Sequence, residues 1–388
     1  FTISIMPDPE ITNLYDIRDR ALQKAHKEIF NYYATGAGVE QTLEDSVAAF
    51  KRFRLQPRIF RSDLNPDLSV SIQGHRIRVP FGIAPTAAHA TAHPDGESAT
   101  AKAAQGFGTI MIQSSMSQTT IEDVRRAAPN ALLWMQTYFF KDRRHTLDIV
   151  RRAERQGFKA IVVTVDSPVL GLFSRASHYE DYIVSEEAKM RESPLQLKGL
   201  ANLNISTPDV AKAKASGDEG LLQYSRDQID QSQPKWKDVA WLKTITHLPI
   251  ILKGIITAES AREAVAAGVQ GIIVSAHGGR QLDGLQAPIE ALPAILDAVR
   301  GSKVEVYMDG GIRSGRDVFK AIALGAKAVF MGRPIIWGLI HDGATGVRDV
   351  LQLVEKELSN TMSLCGCNKI SEVTRQLVAH ESKLISKL

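Results

Sequence analysis

From about residue 80 onward the chain alternates eight times between short runs rich in Ile, Val and Leu and longer amphipathic stretches. A short apolar run without polar alternation reads as a strand buried on both faces, and parallel sheets covered by helices supply such an environment. The candidate strands are Pro80–Pro85, Thr109–Gln113, Leu132–Thr137, Ala160–Val165, Pro249–Lys253, Gly271–Ser275, Val304–Met308 and Ala328–Met331. Between them lie stretches with helix start and stop chemistry. Arg144–Gln156 carries Leu147, Val150 and Ala153 on one stripe and stops at Gly157. Thr257 can cap Ala258–Ala267 before Gly268, and Ser314 can cap a helix through Leu324, with Asp317 in its first turn and Gly325 as its stop. Eight strand-then-helix units predict an α/β fold, a closed (β/α)8 barrel of the TIM type. A doubly wound open sheet is the alternative architecture.

The chain has 388 residues, and a barrel of about 250 residues with extensions fits that length. Residues 1–79 precede the repeat and include a helical stretch around Leu22–Tyr33. They are expected to form a helical extension packing on a barrel that occupies 80–388. The interval between the fourth and fifth strands, about 167–248, is long and holds the polar tract Ser185–Gln233. Because it follows the C-terminal end of a strand, it is expected to act as a lid over the active face.

In such a barrel, chemistry sits where strands end. The first strand delivers Pro85-Thr86-Ala87 there, the second Gln113-Ser114-Ser115, the third Gln136 and Tyr138, and the fourth Thr164 and Asp166. The fifth delivers Lys253, the sixth Ser275 and His277, the seventh Asp309, and the eighth Gly332 and Arg333. One polar strand end is commonly a solvated loop start; eight polar or glycine-rich ends in one chain point to a site. The loops Asp309-Gly310-Gly311-Ile312-Arg313-Ser314-Gly315 and Gly332-Arg333-Pro334 combine glycines with arginines. Glycine lets main-chain N–H groups approach phosphate oxygens and arginine adds a planar charged fork, so a phosphorylated ligand is expected at this pair of loops.

Other functions are less well served. The net charge is +4 with no block of like charges, which does not suggest nucleic acid binding. There is no Gly-x-Gly-x-x-Gly between an early strand and helix, so NAD is not indicated. The two cysteines, Cys365 and Cys367, flank Gly366 without metal-ligand spacing, and no metal site is expected. No stretch reads as a membrane span, and residues 1–10 lack the pattern of a secretory signal. The last three residues, Ser386-Lys387-Leu388, match a peroxisomal address, so a peroxisomal location and an import receptor as partner are expected.

The segment Ser275-Ala276-His277-Gly278-Gly279-Arg280-Gln281-Leu282-Asp283 resembles the motif of the FMN-dependent 2-hydroxy acid oxidases, the family of glycolate oxidase and lactate oxidase. Further matches are Tyr32-Tyr33-Ala34-Thr35-Gly36-Ala37, Ala84-Pro85-Thr86-Ala87, Gln136-x-Tyr138, Thr164-Val165-Asp166, Leu252-Lys253-Gly254, Asp309-Gly310-Gly311 and Gly332-Arg333-Pro334. They cover the chain from about Asn13 to its end, and the look is nearest to animal peroxisomal hydroxyacid oxidases. The resemblance implies FMN as cofactor, a small 2-hydroxy acid as substrate and oxygen as acceptor, with hydrogen peroxide as product. It also implies a homo-oligomer, commonly a tetramer.

It further implies roles for residues. His277 is the base for the substrate's proton, Asp166 orients it and steadies its charged form, and Lys253 stabilises negative charge at the flavin N1–C2=O edge. Arg280 binds the substrate carboxylate, with Tyr32 and Tyr138 at the carboxylate and hydroxyl. Pro85, Thr86, Ala87, Ser114, Gln136, Thr164, Lys253 and Ser275 contact the cofactor; Asp309, Gly310, Gly311, Arg313, Gly332 and Arg333 belong to its phosphate end.

Three positions depart from the family pattern. A second carboxylate-binding arginine normally follows the fourth strand in a Leu-Gly-x-Arg-like run; here Leu170-Gly171-Leu172-Phe173-Ser174-Arg175 makes Arg175 the candidate. Ala276 stands where Asn is common, and Met116 where glycolate oxidases carry Trp, which opens room for longer aliphatic acids. A dehydrogenase with another electron acceptor and a non-catalytic FMN-binding protein are the alternative readings.

Overall fold

The structure is a computed structural model that describes residues 11–61, 65–169, 171, 201–203, 205, 207–230, 232 and 234–385. Three short strands come first: β1 (Phe53–Leu55), β2 (Val70–Ile72) and β3 (His75–Ile77). The next eight are β4 (Phe81–Ile83), β5 (Ile110–Gln113), β6 (Leu132–Thr137), β7 (Ile161–Thr164), β8 (Ile250–Ile255), β9 (Gly271–Val274), β10 (Glu305–Asp309) and β11 (Val329–Met331). They pair in parallel, each with its sequence neighbour, and β11 closes on β4, so the sheet is a closed barrel. All eight expected strands are present. The expected Val304–Met308 begins one residue later and runs on through Asp309, which brings that carboxylate onto the strand itself.

Inward and outward side chains alternate. In β5, Ile110 and Ile112 join an inner cluster while Met111 packs against the helices outside. The inner cluster centres on Trp134, Tyr307 and Phe330, whose ring centroids lie 5.6–5.8 Å apart. The β2–β3 hairpin adds Ile72 and Ile77 beneath them. Gln73, at its tip, donates from its main-chain N–H to Glu305 Oε2 (2.9 Å), at the N-terminal end of β10. The hairpin therefore plugs the end of the barrel opposite the strand C-termini. A buried residue of this size stabilises by about 1.5–3 kcal/mol over its exposed state, and the plug adds two such residues, Ile72 and Ile77, to the inner cluster.

The helices largely follow their caps. Asp142 caps Arg143–Arg155, Thr257 caps Ala258–Ala266 and Ser314 caps Gly315–Leu324. On the first of these the buried face is Thr146, Ile149, Val150 and Ala153, with the expected Leu147 only half-buried. The single helix expected around Leu22–Tyr33 is two helices, Leu14–Lys24 and Lys27–Ala34, because Ala25 turns extended (φ −77°, ψ 144°) between them. Near the other end, β12 (Val378–His380) pairs antiparallel with β1 and ties the extension to the C-terminal segment.

The interval 167–248 includes Trp236–Ile245, the helix that leads into β8, so the described inserted helices are Pro208–Ala215 and Gly217–Asp230. The latter is anchored: Tyr224 Oη lies 2.8 Å from His145 Nε2, and Gln228 accepts from the main-chain N–H groups of Lys141 (2.7 Å) and Asp142 (2.8 Å). Among the described residues, no helix is long and apolar enough to cross a membrane.

Candidate active site

A cavity of about 290 Å³ opens at the C-terminal ends of the strands. Of the residues expected from sequence, Tyr32, Pro85, Thr86, Ala87, Ser114, Gln136, Tyr138 and Thr164 line it on one side of the chain order. Lys253, His277, Arg280, Asp309, Gly310, Gly311, Arg313, Gly332 and Arg333 line it on the other. Ser275 and Asp166 stand just behind the wall, one bonded to Lys253 and the other to His277. Arg175 lies outside the described residues.

His277 follows β9 in a left-handed conformation (φ 54°), and Gly278 and Gly279 continue it (φ 65° and 72°). A β-carbon on Gly278 would meet Arg333 Nη1 at 2.9 Å, and one on Gly279 would meet the main chain of Leu43 at 2.7 Å. The glycines therefore let the His277 loop press against its neighbours. His277 Nδ1 lies 2.7 Å from Asp166 Oδ1, and Ser167 Oγ stands 3.1 Å from the same oxygen. An ionised carboxylate only accepts, so Nδ1 carries the proton of the neutral imidazole and Nε2 is the basic nitrogen. Asp166 is almost wholly buried, which opposes ionisation, but the charges of His277 and Lys253 outweigh burial and hold its pKa below the usual carboxylate value. Gly254 (φ 105°) makes this approach possible, since a β-carbon there would sit 2.6 Å from Asp166 Oδ2. The β8–β9 register shifts at the same point, between Lys253 and Ile255.

Lys253 is 4% exposed and its Nζ lies 3.0 Å from Ser275 Oγ and 3.5 Å from Asp309 Oδ2. On the preceding strands, Gln136 Oε1 accepts from Ser115 N (3.1 Å) and Ser114 Oγ (3.3 Å), while its Nε2 donates to Thr164 Oγ1 (2.9 Å). This row of neutral polar groups leads up to Lys253, the strand partner of Thr164. Tyr138 has its pKa raised by burial, then by Asp166 and Tyr32, so its phenol stays protonated and can donate.

The arginines are fixed by the main chain. Arg280 Nη1 donates to the carbonyls of Tyr32 (2.8 Å) and Thr35 (3.0 Å), and its guanidinium lies over the Tyr32 ring. Arg333 donates to the carbonyls of Tyr33, Gly278 and Thr35, thereby joining the N-terminal extension to the His277 loop. Burial, with Arg280 and Arg313 nearby, pushes the Arg333 pKa down to about 9. Burial also lowers that of Arg313, which stacks on Trp337. Converging half-buried cations favour an anion of more than one charge between them.

FMN fits these residues. Its phosphate needs a cationic, glycine-rich cradle, which Gly310, Gly311 (φ 90° and 78°), Arg313, Gly332 and Arg333 provide. Its ring needs hydrogen-bonding groups along one edge, and Ser114, Gln136, Thr164 and Lys253 stand in a row over successive strands. Asp309 Oδ1 and Asp166 Oδ2 are buried without a partner among the described residues, polar capacity still to be met. No group of three His, Cys, Asp or Glu that could hold a metal occurs among the described residues.

Several cavity residues escaped the sequence reading. Ser167 adjoins the expected Asp166 and its neighbourhood could have suggested it. Tyr33, whose hydroxyl donates to the Ala88 carbonyl (2.6 Å), lies within a quoted motif. Gln118, Arg226 and Ile229 carry no local signal, the last two because they come from an inserted helix.

Known proteins resemble this chain over nearly its whole length. The chain is 44% identical to human 2-hydroxyacid oxidase 1 over 98% of its length and 100% of that protein. It is 44% identical to spinach glycolate oxidase over 95% of this chain and 96% of the relative. Among solved structures, a soluble mutant of the membrane-associated (S)-mandelate dehydrogenase of Pseudomonas putida superposes with a TM-score of 0.84. It is 30% identical, and the match covers 96% of this chain and 100% of that one. The profile of the FMN-dependent dehydrogenases matches residues 21–380, and the chain belongs to that family.

Proposed function

We propose that this protein oxidises (S)-2-hydroxy acids to 2-oxo acids and passes the electrons to oxygen. The observation that carries the reading is the His277–Asp166 pair, 2.7 Å apart, on a cavity that also holds Lys253 and the arginines. FMN bound here supplies the two-electron acceptor and the route from it to oxygen. The substrate loses the hydroxyl proton and the C2 hydrogen with two electrons; oxygen gains two electrons and two protons to become hydrogen peroxide. Nε2 of His277 takes a substrate proton, and Asp166 stabilises the imidazolium that results. Tyr138 donates to the substrate oxygen, Arg280 and Tyr32 hold the carboxylate, and Lys253 stabilises charge arriving at its side of the cavity. The cofactor contacts are those assigned above, and Arg175 remains the candidate for a second carboxylate contact. Met116, half-buried on the cavity wall, leaves space for medium or longer substrates.

Oxygen as acceptor is supported by the oxidase relatives; the mandelate dehydrogenase likeness favours a second reading, with a different acceptor. An anaerobic titration with glycolate, (S)-lactate and (S)-2-hydroxyoctanoate, followed at the flavin band and then by admission of air, separates them. Bleaching and then stoichiometric peroxide is expected. Bleaching without reoxidation in air would move the protein to the dehydrogenases, and no bleaching with any acid would end the catalytic reading.

A peroxisomal location and import-receptor binding belong to the same proposal, supported by peroxide as product and by Ser386-Lys387-Leu388, which lie outside the described residues. Fluorescent fusions with and without this tripeptide at the C-terminus test it; diffuse signal from both would overturn it. The homotetramer is tested by light scattering, where a monomeric mass would refute it.

A further inference from the structure

His277 and Asp166 come from strands that do not pair with each other. Asp166 follows β7 and His277 follows β9, with β8 between them in the barrel. The strand ladder therefore does not fix one loop against the other, and the left-handed turn at His277 needs support from outside itself. The His277–Asp166 bond and the adjoining Ser167 hydroxyl join the two loops at one point. A second point lies four residues beyond His277 and five beyond Asp166, where Gln281 Oε1 accepts from the main-chain N–H of Gly171 at 2.6 Å. Gly171 permits this approach: a β-carbon there would collide with the Arg280 carbonyl and sit 2.7 Å from Gln281 Cα. The loop after β7 is exposed at Pro168 and Val169 and half-buried again at Gly171. Gln281, next in sequence to Arg280, is half-buried on the cavity wall.

A hydrogen bond at one point is a pivot, about which imidazole and carboxylate can still turn. A second bond a few residues away removes that freedom, and hydrogen bonds weaken steeply as their angle closes. The Gly171 N–H needs an acceptor, and an amide oxygen supplies one without placing negative charge beside Arg280, where the substrate carboxylate is to bind. Resting on the 2-hydroxy acid reading, we infer that Gln281 is a positioning residue for the oxidation. It clamps the Asp166 loop to the His277 loop and so keeps Asp166 Oδ1 in line with His277 Nδ1. Its effect on the reaction passes through Asp166.

The test is a double-mutant cycle in the flavin-loaded protein. Its readout is the limiting rate of anaerobic flavin bleaching, per bound flavin, with the best of glycolate, (S)-lactate and (S)-2-hydroxyoctanoate at saturation. Gln281→Met keeps the length of the side chain and removes the acceptor. It is expected to lower the rate about 3- to 10-fold, the loss of one neutral hydrogen bond, with little change in the half-saturating acid concentration. Gln281→Glu, which keeps an acceptor oxygen at the same reach, should restore the rate, its charge showing in the half-saturating concentration instead. In the Asp166→Asn background the Gln281→Met change should leave the rate nearly unaltered, because the carboxylate it positions is gone. Equal factors in the two backgrounds would overturn the inference, as would an unchanged rate per bound flavin in Gln281→Met, whatever its unfolding midpoint or flavin occupancy. Flavin that no acid bleaches in the wild type would remove the 2-hydroxy acid reading itself, and this inference with it.

Discussion

The two ends of the barrel are built from the same strands and solve opposite problems. At the N-terminal end, Trp134, Tyr307 and Phe330 fill the interior edge to face and the β2–β3 hairpin covers them. The polar groups there are largely matched: Gln73 Nε2 donates to Tyr307 Oη (3.1 Å), and Tyr307 in turn bonds Glu305. Trp134 Nε1 is the exception. At the C-terminal end, carboxylate oxygens of Asp166 and Asp309 are buried without partners among the described residues, His277 adopts a left-handed backbone, and arginines crowd together. Each of these costs stability. The difference teaches where the fold keeps its stability and where it holds polar capacity for a ligand, a division expected for barrels whose chemistry sits at the strand C-termini.

If that division is real, mutations at the two ends should separate function from stability. His277→Gln is expected to lower kcat by about 10²–10⁴-fold, the usual contribution of a positioned base, with little change in unfolding midpoint. A rapid-mixing measurement of flavin bleaching checks it; a loss smaller than tenfold would take the base role from His277. Trp134→Ala is expected to lower unfolding stability by about 3–5 kcal/mol, while turnover per bound flavin changes little. If its turnover fell as far as that of the histidine variant, the two ends would not be separable. Arg280→Met should reduce kcat/KM by about 1.5–3 kcal/mol of transition-state binding, chiefly through KM. An unaltered KM would assign Arg280 to holding the Tyr32–Thr35 carbonyls alone.

The stable end and the reactive end were unequally legible in the sequence. Runs such as Leu132–Thr137 are apolar on both faces because helices cover one side and the barrel interior the other, so every barrel strand could be read. The strand-end rule then located Lys253, Asp309 and Gln136 without any contact being known. The break at Ala25 was not legible, since neither glycine nor proline marks it and packing decides it. Nor was the left-handed turn at His277, which depends on Gly278 and Gly279 meeting Arg333 and Leu43 from distant parts of the chain. Arg226 was the hardest case. Its place in the cavity depends on Tyr224 finding His145, a pairing across 79 residues that local pattern does not carry.

The subtlest difference between the ends is in pH. Asp166 has a folded pKa below its ordinary value of 3.8, because His277 and Lys253 outweigh its burial. A depressed carboxylate contributes stability that is fully present above the unfolded pKa and is lost as pH falls through the folded value. The contribution of Asp166 is therefore intact at neutral pH and declines only below about pH 4. Asp166→Asn removes the ionisable group and with it this dependence. Denaturation midpoints of wild type and Asp166→Asn should thus differ by a constant amount above pH 5 and draw together as pH falls below 4. Trp134→Ala, which touches no titrating carboxylate at the reactive end, should keep its gap from wild type across the same range. Parallel curves for Asp166→Asn at all pH values would mean that the Asp166 carboxyl is not held below its unfolded pKa in the folded protein, and its orienting role would then rest on the hydrogen bond to His277 Nδ1 alone.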